Sequence, residues 1–420
     1  MSGWEAASLG AVVDIFDQKR VPLSSAQRAT RKGPFPYYGA QGVIDYIDDF
    51  IFDGRFVLVP EDGENLRSRK LPIAYFADGQ FWVNNHAHII RAKPGIAVDR
   101  FIQSAIQATS IGAWVTGAAQ PKLSQANLRE IQICLPPYRD QQLVSSILDA
   151  MDDLIENNRR RVEVLEEMAR AVYREWFVHF RYPGHESATF AGSSLGPIPY
   201  GWRVRPVAEV ASKQRYAVTG GPFGSKLGRK DYRDEGVPVL RGANLRVGGG
   251  FDESDLVYVS AEKADELRSS LAGPGDVVVT QRGTLGQVGM IPPRPRFDRY
   301  VLSQSQMKVT TDPELAAPGF LYAQMCSTGT TQRFTAQAMT AGVPHVNLAL
   351  LRDFKVLVPP IPVQREFTDA VDPMLANGRA LSAQRSSLET LRDVLLPKLV
   401  TGQIDVSALD LDALVESSVA

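Results

Sequence analysis

Two long stretches of the chain carry apolar residues at helical spacing. Residues 139–178 contain neither proline nor glycine, and apolar side chains recur there every three or four positions. A second stripe covers residues 367–395, with Pro373 and Gly378 inside it. The spacings predict two long helices, the second with a kink or a short break. A helix of about 39 residues, roughly 58 Å long, cannot bury such a stripe alone. The pattern therefore favours two antiparallel packed helices, with the alternative that each covers its own domain.

The segments before each helix have a different pattern. Short β-rich runs occur at residues 55–59, 81–83 and 276–280, and residues 100–108 and 261–271 read as helices. We therefore predict an α/β (α+β) fold class. It comprises two mixed α/β domains joined by two long antiparallel helices, with a pseudo-two-fold internal repeat.

The repeat is visible in the residues themselves. Residues 118–177 match residues 341–400 without a gap, at a constant offset. The matching positions include Pro136-Pro137 with Pro359-Pro360, Gln141 with Gln364, Asp149 with Asp372, and Leu165-Glu166 with Leu388-Glu389. The predicted boundaries are residues 1–137 for the first domain, 138–181 for the first helix, 182–199 for a linker rich in Gly, Ser and Pro, 200–360 for the second domain, 361–401 for the second helix and 402–420 for the tail.

Composition narrows the class of protein. The chain has 420 residues, 44% hydrophobic and 22% charged, which excludes a disordered or fibrous protein. Its 46 basic and 47 acidic residues nearly cancel, so nucleic-acid binding would need local patches. Two cysteines are too few for a disulfide framework. We see neither a signal pattern nor a membrane-spanning apolar stretch, and expect a cytoplasmic protein.

Four motifs carry a family resemblance. The first is Gly221-Pro222-Phe223-Gly224-Ser225-Lys226-Leu227, and the others occupy residues 275–286, 357–364 and 396–404. In this order, together with the two-fold layout, the chain resembles the specificity subunit of type I restriction–modification systems. The first domain lacks the Gly-Pro-Phe-Gly-Ser loop and resembles another subclass of the same domain. Two different domains imply two different half-sites.

The resemblance implies a division of labour. Each domain would be a target recognition domain that reads one half of a bipartite, asymmetric DNA site. The helices would fix the gap between the halves and dock two methyltransferase subunits, which restriction subunits then join. Adenine methylation with S-adenosylmethionine and ATP-dependent cleavage with Mg would belong to those partners. The chain itself would be non-catalytic and bind no cofactor or metal.

Local basic and polar clusters supply the candidate DNA contacts. Eight basic residues against two acidic ones lie between residues 203 and 233. Arginine suits guanine, asparagine suits adenine, and lysine suits phosphates, although any single residue could equally be a solvated surface charge. The candidates are Lys19, Arg20, Tyr37, Tyr38, Arg67, Arg69, Lys70, His86 and Lys122 in the first domain, and Lys226, Arg229, Lys230, Tyr232, Arg241, Asn244, Arg282, Gln304 and His345 in the second.

The helical stripes supply the candidate contacts with partner subunits. These are Leu154, Leu165, Met168 and Trp176 on the first helix, and Leu388, Leu391 and Leu395 on the second.

Enzyme motifs do not fit the residues. Leu135-Pro136-Pro137-Tyr138 resembles an amino-methyltransferase tetrapeptide but begins with leucine, which cannot accept a hydrogen bond from the target amine. Residues 220–226 are not a phosphate-binding loop, because Ser225 separates the last glycine from the lysine. His86 and His88 would share a strand face, without an evident third metal ligand. Two alternatives stay open: a coiled-coil adaptor or scaffold, and a single-chain methyltransferase or nuclease.

Overall fold

The computed structural model describes residues 4–339 and 346–407. Within these ranges the chain forms two compact units, residues 4–157 with 384–407 and residues 158–339 with 346–383. Each unit holds one mixed α/β domain and one end of both long helices. In the described part of the chain, every helix is too short or too polar to cross a lipid bilayer.

The first domain contains ten strands and five helices. The strands are β1 (Glu5–Ser8), β2 (Val13–Ile15), β3 (Lys32–Gly39), β4 (Gly42–Ile47), β5 (Phe52–Asp53), β6 (Phe56–Pro60), β7 (Tyr75–Ala77), β8 (Gln80–Val83), β9 (Ala87–Ala92) and β10 (Gln132–Leu135). The helices are α1 (Leu9–Val12), α2 (Ser25–Thr30), α3 (Asn65–Ser68), α4 (Asp99–Ala108) and α5 (Gln125–Glu130). The strands form the sheets β2-β9-β6-β7 and β4-β3-β8-β5 and the pair β1-β10. All five residues of β6 are buried, because this apolar strand lies inside its sheet.

The first long helix is α6 (Tyr138–Phe177). The linker after it contains a small antiparallel pair, β11 (Phe190–Ala191) with β12 (Ile198–Pro199). The linker is not simply a flexible spacer, since Ile198 is buried beside Trp202 and Phe177 in an aromatic cluster.

The described residues of the second domain form eleven strands and five helices. The strands are β13 (Arg203–Pro206), β14 (Val218–Gly220), β15 (Val237–Leu240), β16 (Arg246–Val247), β17 (Val257–Val259), β18 (Leu271–Ala272), β19 (Val277–Thr280), β20 (Gln287–Met290), β21 (Tyr300–Leu302), β22 (Gln306–Val309) and β23 (Lys355–Val358). The helices are α7 (Val207–Val210), α8 (Ala261–Glu266), α9 (Pro318–Cys326), α10 (Thr328–Met339) and α11 (Leu348–Asp353). The expected helix at residues 261–271 ends early, because Leu271 joins a sheet opposite Val301.

The two domains repeat one topology. In the first, β3 pairs antiparallel with β4 and parallel with β8, and β8 pairs antiparallel with β5. In the second, β15 has the same relations with β17 and β21, and β21 with β18. The sheets β2-β9-β6-β7 and β14-β22-β19-β20-β16 also correspond, with one extra edge strand in the second. The mixed α/β fold class and its internal repeat are confirmed.

The second long helix, α12 (Ile361–Val400), is helical throughout. The short break expected at Pro373 and Gly378 is therefore absent. A proline removes one helical hydrogen bond, and packing of the neighbouring Val371, Met374 and Leu375 in the aromatic cluster offsets that loss.

The long helices pack together within each unit. In the first unit Asp152 of α6 contacts Arg392 of α12 at 2.9 Å, and Leu148 shares a core with Leu399. In the second unit the rings of Trp176 and Phe367 lie 6.0 Å apart. The start of α6 thus meets the end of α12 in one unit, and the end of α6 meets the start of α12 in the other. The helices run antiparallel.

A buried glutamine fastens each domain to its helix in the same way. The Gln141 Oε1 accepts from the Val98 N–H at 3.0 Å, and its Nε2 donates to the Ile96 and Pro136 carbonyls at 3.1 and 3.0 Å. The Gln364 amide accepts from the Ala317 N–H at 3.0 Å. It also donates to the carbonyls of Leu315 and Pro359 at 3.1 and 2.7 Å. The repeated glutamine is therefore explained by backbone groups that would otherwise be buried without partners.

Candidate nucleic-acid interface

Several loops of the first domain meet beyond the carboxyl end of β6. The Glu61 N–H donates to the His86 carbonyl, and the Leu123 N–H donates to the Glu61 carbonyl, both at 2.8 Å. Asp62 and Lys122 form an antiparallel β-bridge beside them. We call this surface the first loop cluster, which comprises residues 17–20, 61–63, 84–86 and 116–123.

The charged side chains of the first loop cluster neutralise one another. The Glu61 carboxylate accepts from Arg20 at 2.8 Å and lies 3.3 Å from the Lys122 ammonium. Asp62 lies 2.6 Å from the His86 Nδ1. Burial alone would raise the pKa of Glu61, but the hydrogen bond and the charge of Arg20 help to lower it below its usual value. Arg20 and Lys122 are available to phosphate only in competition with the protein's own carboxylates, whereas Lys19 is exposed and forms no ion pair within the described residues.

A buried acid–histidine pair supports this cluster from beneath. The His88 Nδ1 lies 2.6 Å from the Asp17 carboxylate, and its Nε2 lies 2.8 Å from the Leu123 carbonyl. Asp17 also accepts from the Ile89 N–H at 3.0 Å. Burial would raise the pKa of Asp17, but the hydrogen bond and charge of His88 outweigh it, and the pKa is lowered. The pair fastens the turn before α2 to β9.

The expected common face of His86 and His88 is wrong. His86 precedes β9 and is exposed, whereas His88 lies within β9 and is fully buried. Among residues 4–339 and 346–407, no group of three or more His, Cys, Asp or Glu side chains could hold a metal ion.

The second domain builds the same loop arrangement from other residues. The Gln281 N–H donates to the Ser305 carbonyl at 2.8 Å, and the Val346 N–H donates to the Gln281 carbonyl at 3.0 Å. These bonds make Gln281 the counterpart of Glu61 and Ser305 the counterpart of His86. We call residues 221–232, 281–282 and 303–305 the second loop cluster.

The charges of the second loop cluster are not neutralised in the same way. Lys226, Arg229, Lys230 and Arg282 are exposed. Within the described residues none of the four forms an ion pair. Arg282 takes the position that Asp62 occupies in the first domain. Exposed cations on neighbouring loops are suited to bind the phosphates of a nucleic-acid backbone.

Comparisons with known proteins agree with this arrangement. Residues 1–167 match the family model described as the type I restriction modification DNA specificity domain. A type I restriction enzyme specificity subunit of Methanocaldococcus jannaschii is 21% identical over 358 residues, covering 83% of this chain and 79% of that protein. A putative type I restriction enzyme specificity subunit of Haemophilus influenzae is 23% identical over 411 residues, covering 92% and 94%. The chain is thus similar over most of its length to type I specificity subunits, and its first 167 residues match their DNA specificity domain.

The fold agrees with this family. The crystal structure of a type I restriction–modification S subunit from M. genitalium superposes with a TM-score of 0.64 at 16% identity, covering 95% of this chain and 96% of that one. The resemblance drawn from the motifs is confirmed. The family model matches the domain that lacks the Gly-Pro-Phe-Gly-Ser loop, so that departure is a variation within the family. The relatives are named specificity subunits, in agreement with a non-catalytic chain.

Several expected DNA contacts of the first recognition domain serve its own structure. Tyr37 is fully buried, and its expected contact with DNA is contradicted. Tyr38 is half-buried and packs edge-on against Phe81, with the ring centroids 5.5 Å apart. Arg67 donates to the Ala118 carbonyl at 3.0 Å, and Arg69 to the Thr109 carbonyl at 2.6 Å. By contrast, Lys19, Lys70, His86 and Lys122 are exposed, and DNA contact by them stays a prediction.

The second recognition domain divides its candidates similarly. Asn244 is 1% exposed; it accepts from the Arg241 N–H at 2.9 Å and donates to the Asp252 carbonyl at 3.0 Å, so the expected adenine contact is contradicted. Arg241 pairs with Asp255 at 2.9 Å. Half-buried Tyr232 packs against the core beneath the loop. Gln304 donates to the Leu227 carbonyl at 3.1 Å and so holds the loop. His345 lies outside the described residues.

The helix candidates separate into packed and exposed positions. Leu154, Met168 and Leu391 are 49%, 46% and 48% exposed and are open to a partner. Trp176 instead packs in the aromatic cluster, and Leu395 packs on the first unit's core. Both side chains are only partly buried there, and their contact with partner subunits stays a prediction. Leu165 and Leu388 are half-buried.

Two features of the interface were not predicted from the sequence. The first is the pairing of Glu61 with Arg20 and Lys122, and of Asp62 with His86. The second is Phe223, which is 76% exposed in the second loop cluster. Opposite charges in loops that follow neighbouring strands were the signal for the first; no pattern in the sequence signalled the second.

Proposed function

We propose that this specificity subunit binds double-stranded DNA through its two loop clusters, and that each recognition domain reads one half of a bipartite, asymmetric site. The observation that carries the proposal is the repeated scaffold with different side chains at matching positions. Asp62 corresponds to Arg282, and Glu61 corresponds to Gln281. Two copies of one frame with unlike surfaces would recognise two unlike half-sites.

The antiparallel helices support a spacer role. Because α6 and α12 each have 40 residues, each spans about 60 Å. We propose that they set the gap between the half-sites and dock two methyltransferase subunits, with the exposed Leu154, Met168 and Leu391 among the contacts. Restriction subunits would join through this complex. S-adenosylmethionine, ATP and Mg would be bound by those partners, and the complex would act in the cytoplasm.

The test is to express this chain in a bacterial host with the methyltransferase encoded beside it, and to map methylated adenines in the host DNA. We expect a split, asymmetric motif that disappears when this chain is omitted. A complex that forms but leaves no motif would instead favour an adaptor or scaffold. Methyl transfer by the purified chain alone would contradict the non-catalytic role.

The spacer role has its own test in the same host. Insertion of about four residues, roughly one turn, into an exposed part of a long helix is expected to lengthen the unspecified gap without changing either half-site. An insertion of four residues into the linker 182–199 is the matched control and should leave the gap unchanged. If the motif kept its original gap after the helix insertion, the helices would not set the gap, and the spacer role would be contradicted.

A further inference from the structure

Phe223 is the most exposed apolar side chain of the second loop cluster, at 76%. Single exposed hydrophobic residues are common on proteins, so exposure by itself does not indicate a function. Phe223 is distinguished by the way its loop is held and by the charges around it. Both features belong to the segment 221–232.

The loop that carries Phe223 is fixed at both ends. The Gly221 N–H donates to the Gln306 carbonyl at 2.8 Å. A Cβ at Gly221 would lie 1.8 Å from the Ser303 carbonyl oxygen, so only glycine permits this approach. Beyond Phe223, the Gln304 amide donates to the Leu227 carbonyl at 3.1 Å, and the Leu227 side chain is 5% exposed. The backbone therefore holds the aromatic ring out into solvent on a firm base.

Cationic residues follow Phe223 in the sequence, and another lies on the neighbouring loop. Lys226, Arg229 and Lys230 follow it, and the Gln281 amide donates to the Gln304 carbonyl, which brings Arg282 beside the same turn. Cations of this kind draw a polyanion towards the loop. A phenyl ring has no favourable interaction with phosphate oxygens. The apolar surfaces of DNA are the faces of the bases and the methyl group of thymine.

We infer that Phe223 is a base-contacting residue of the second recognition domain, whose ring is buried against a nucleobase of that domain's half-site. The inference rests on the proposed function and deepens it. The cations supply sequence-independent affinity for phosphates, whereas the ring supplies contact that depends on the base in front of it. Phe223 would therefore contribute to sequence preference more than to overall affinity for DNA.

The experiment uses the complex of the full chain with its methyltransferase partner. Binding is measured to a duplex carrying the mapped site and to an unrelated duplex of equal length. Phe223→Ala is expected to weaken binding to the mapped site about 10- to 100-fold, with at most about a twofold change on the unrelated duplex. The salt dependence of binding should not change, because no charge is removed. In methylation mapping, relaxed positions should be confined to one half-site.

Modified duplexes define the contact made by the wild-type ring. Uracil in place of thymine removes a methyl contact, and 2-aminopurine brightens where a base is unstacked. Weaker binding to a duplex with uracil would show that the ring contacts the thymine methyl group. A fluorescence increase of 2-aminopurine on binding would show that the ring inserts between bases. Either result supports the inference. If neither substitution has an effect at any position of the half-site, the inference is contradicted.

Tyr200→Ala is the matched control, since Tyr200 is 78% exposed at the first position after the linker, and it should bind both duplexes like the wild type. Equal weakening of Phe223→Ala on both duplexes, or unchanged binding to both, would overturn the inference. Loss of the methyltransferase from the Phe223→Ala complex would also overturn it, by assigning the ring to a protein contact. If the wild-type complex prefers no sequence, the proposed function fails, and the inference with it.

Discussion

The two recognition domains share a backbone frame but handle charge in opposite ways. In the first, Arg20 and Lys122 share the Glu61 carboxylate, and His86 lies against Asp62. In the second, Gln281 replaces the glutamate and Arg282 replaces the aspartate. The frame is therefore independent of these side chains, because backbone hydrogen bonds at matching positions hold the loops in both domains. What differs is how much free positive charge each domain presents to DNA.

The same contrast extends to the interior. The buried His88 of the first domain is matched by Met307 in the second, and the domains join the helices by different chemistry. Arg100 and Arg392 meet at Asp152 in the first unit, whereas Phe320 and Phe367 belong to an aromatic cluster in the second. One unit thus combines apolar packing with ion pairs, and the other relies on aromatic packing.

The largest effect should come from the aromatic cluster. Phe367→Ala removes a fully buried ring that contacts Trp176, Phe177 and Phe320. It should lower the free energy of unfolding of the second unit by about 3–5 kcal/mol. Arg392→Ala, its counterpart in the first unit, should cost about 1 kcal/mol or less, since the pair is partly exposed. Hydrogen exchange of the full-length protein would measure the stability of each unit in both variants. Equal losses of stability would show that the ion pairs contribute as much as the aromatic rings.

The next effect is the pH dependence that Asp17 gives to the first domain. The pKa of Asp17 is lowered in the folded state, so its ionised form contributes stability above its unfolded value near 3.8. That contribution is lost as the pH falls through the lowered pKa. Asp17→Asn should destabilise the first domain by about 1–3 kcal/mol at neutral pH. In acid, the stability of the first domain should also depend less on pH in the variant than in the wild type.

Hydrogen exchange between about pH 2 and pH 6 checks this prediction, with the second domain as the internal control. That domain has methionine in place of His88. Its exchange rates should be the same in the variant and the wild type, after correction for intrinsic exchange. A parallel change in both domains would mean that the buried pair stabilises the whole chain.

The smallest effect should come from exchanging the charge patterns. Glu61→Gln makes the first loop cluster resemble the second and removes the carboxylate beside Arg20 and Lys122, while Arg20 keeps its contact with Asp17 at 3.6 Å. Binding to unrelated duplex DNA should therefore tighten about two- to fivefold at low salt. Arg282→Gln should weaken it, with the salt slope reduced by about one. Asp405→Asn, a charge change in an exposed residue distant in sequence from both clusters, is the control. No change in either cluster variant would place phosphate binding elsewhere.

The sequence predicted much of the fold because the relevant patterns are local. The helical stripes gave α6 and α12 within a few residues, and apolar runs gave β6 and β19. Of the kink or short break expected at Pro373 and Gly378, the break is absent, because packing around Val371 outweighs a local preference, and the kink stays a prediction. The predicted contacts of Tyr37 and Asn244 failed for a related reason. Residue type determines which interactions a side chain can form, but burial determines whether it forms them with an external ligand or with the chain's own backbone.

What the sequence by itself determined was the repeat, the order of domains and helices, and the resemblance to type I specificity subunits, since each depends on which residues follow one another. Only the tertiary structure decided which cations are free. Glu61 neutralises Arg20 and Lys122 across more than 40 residues of chain in either direction, and the exposure of Phe223 depends on Ser303 and Gln304 beneath its loop. Such properties arise when distant loops meet, because ion pairing and burial depend on distance in space rather than along the chain.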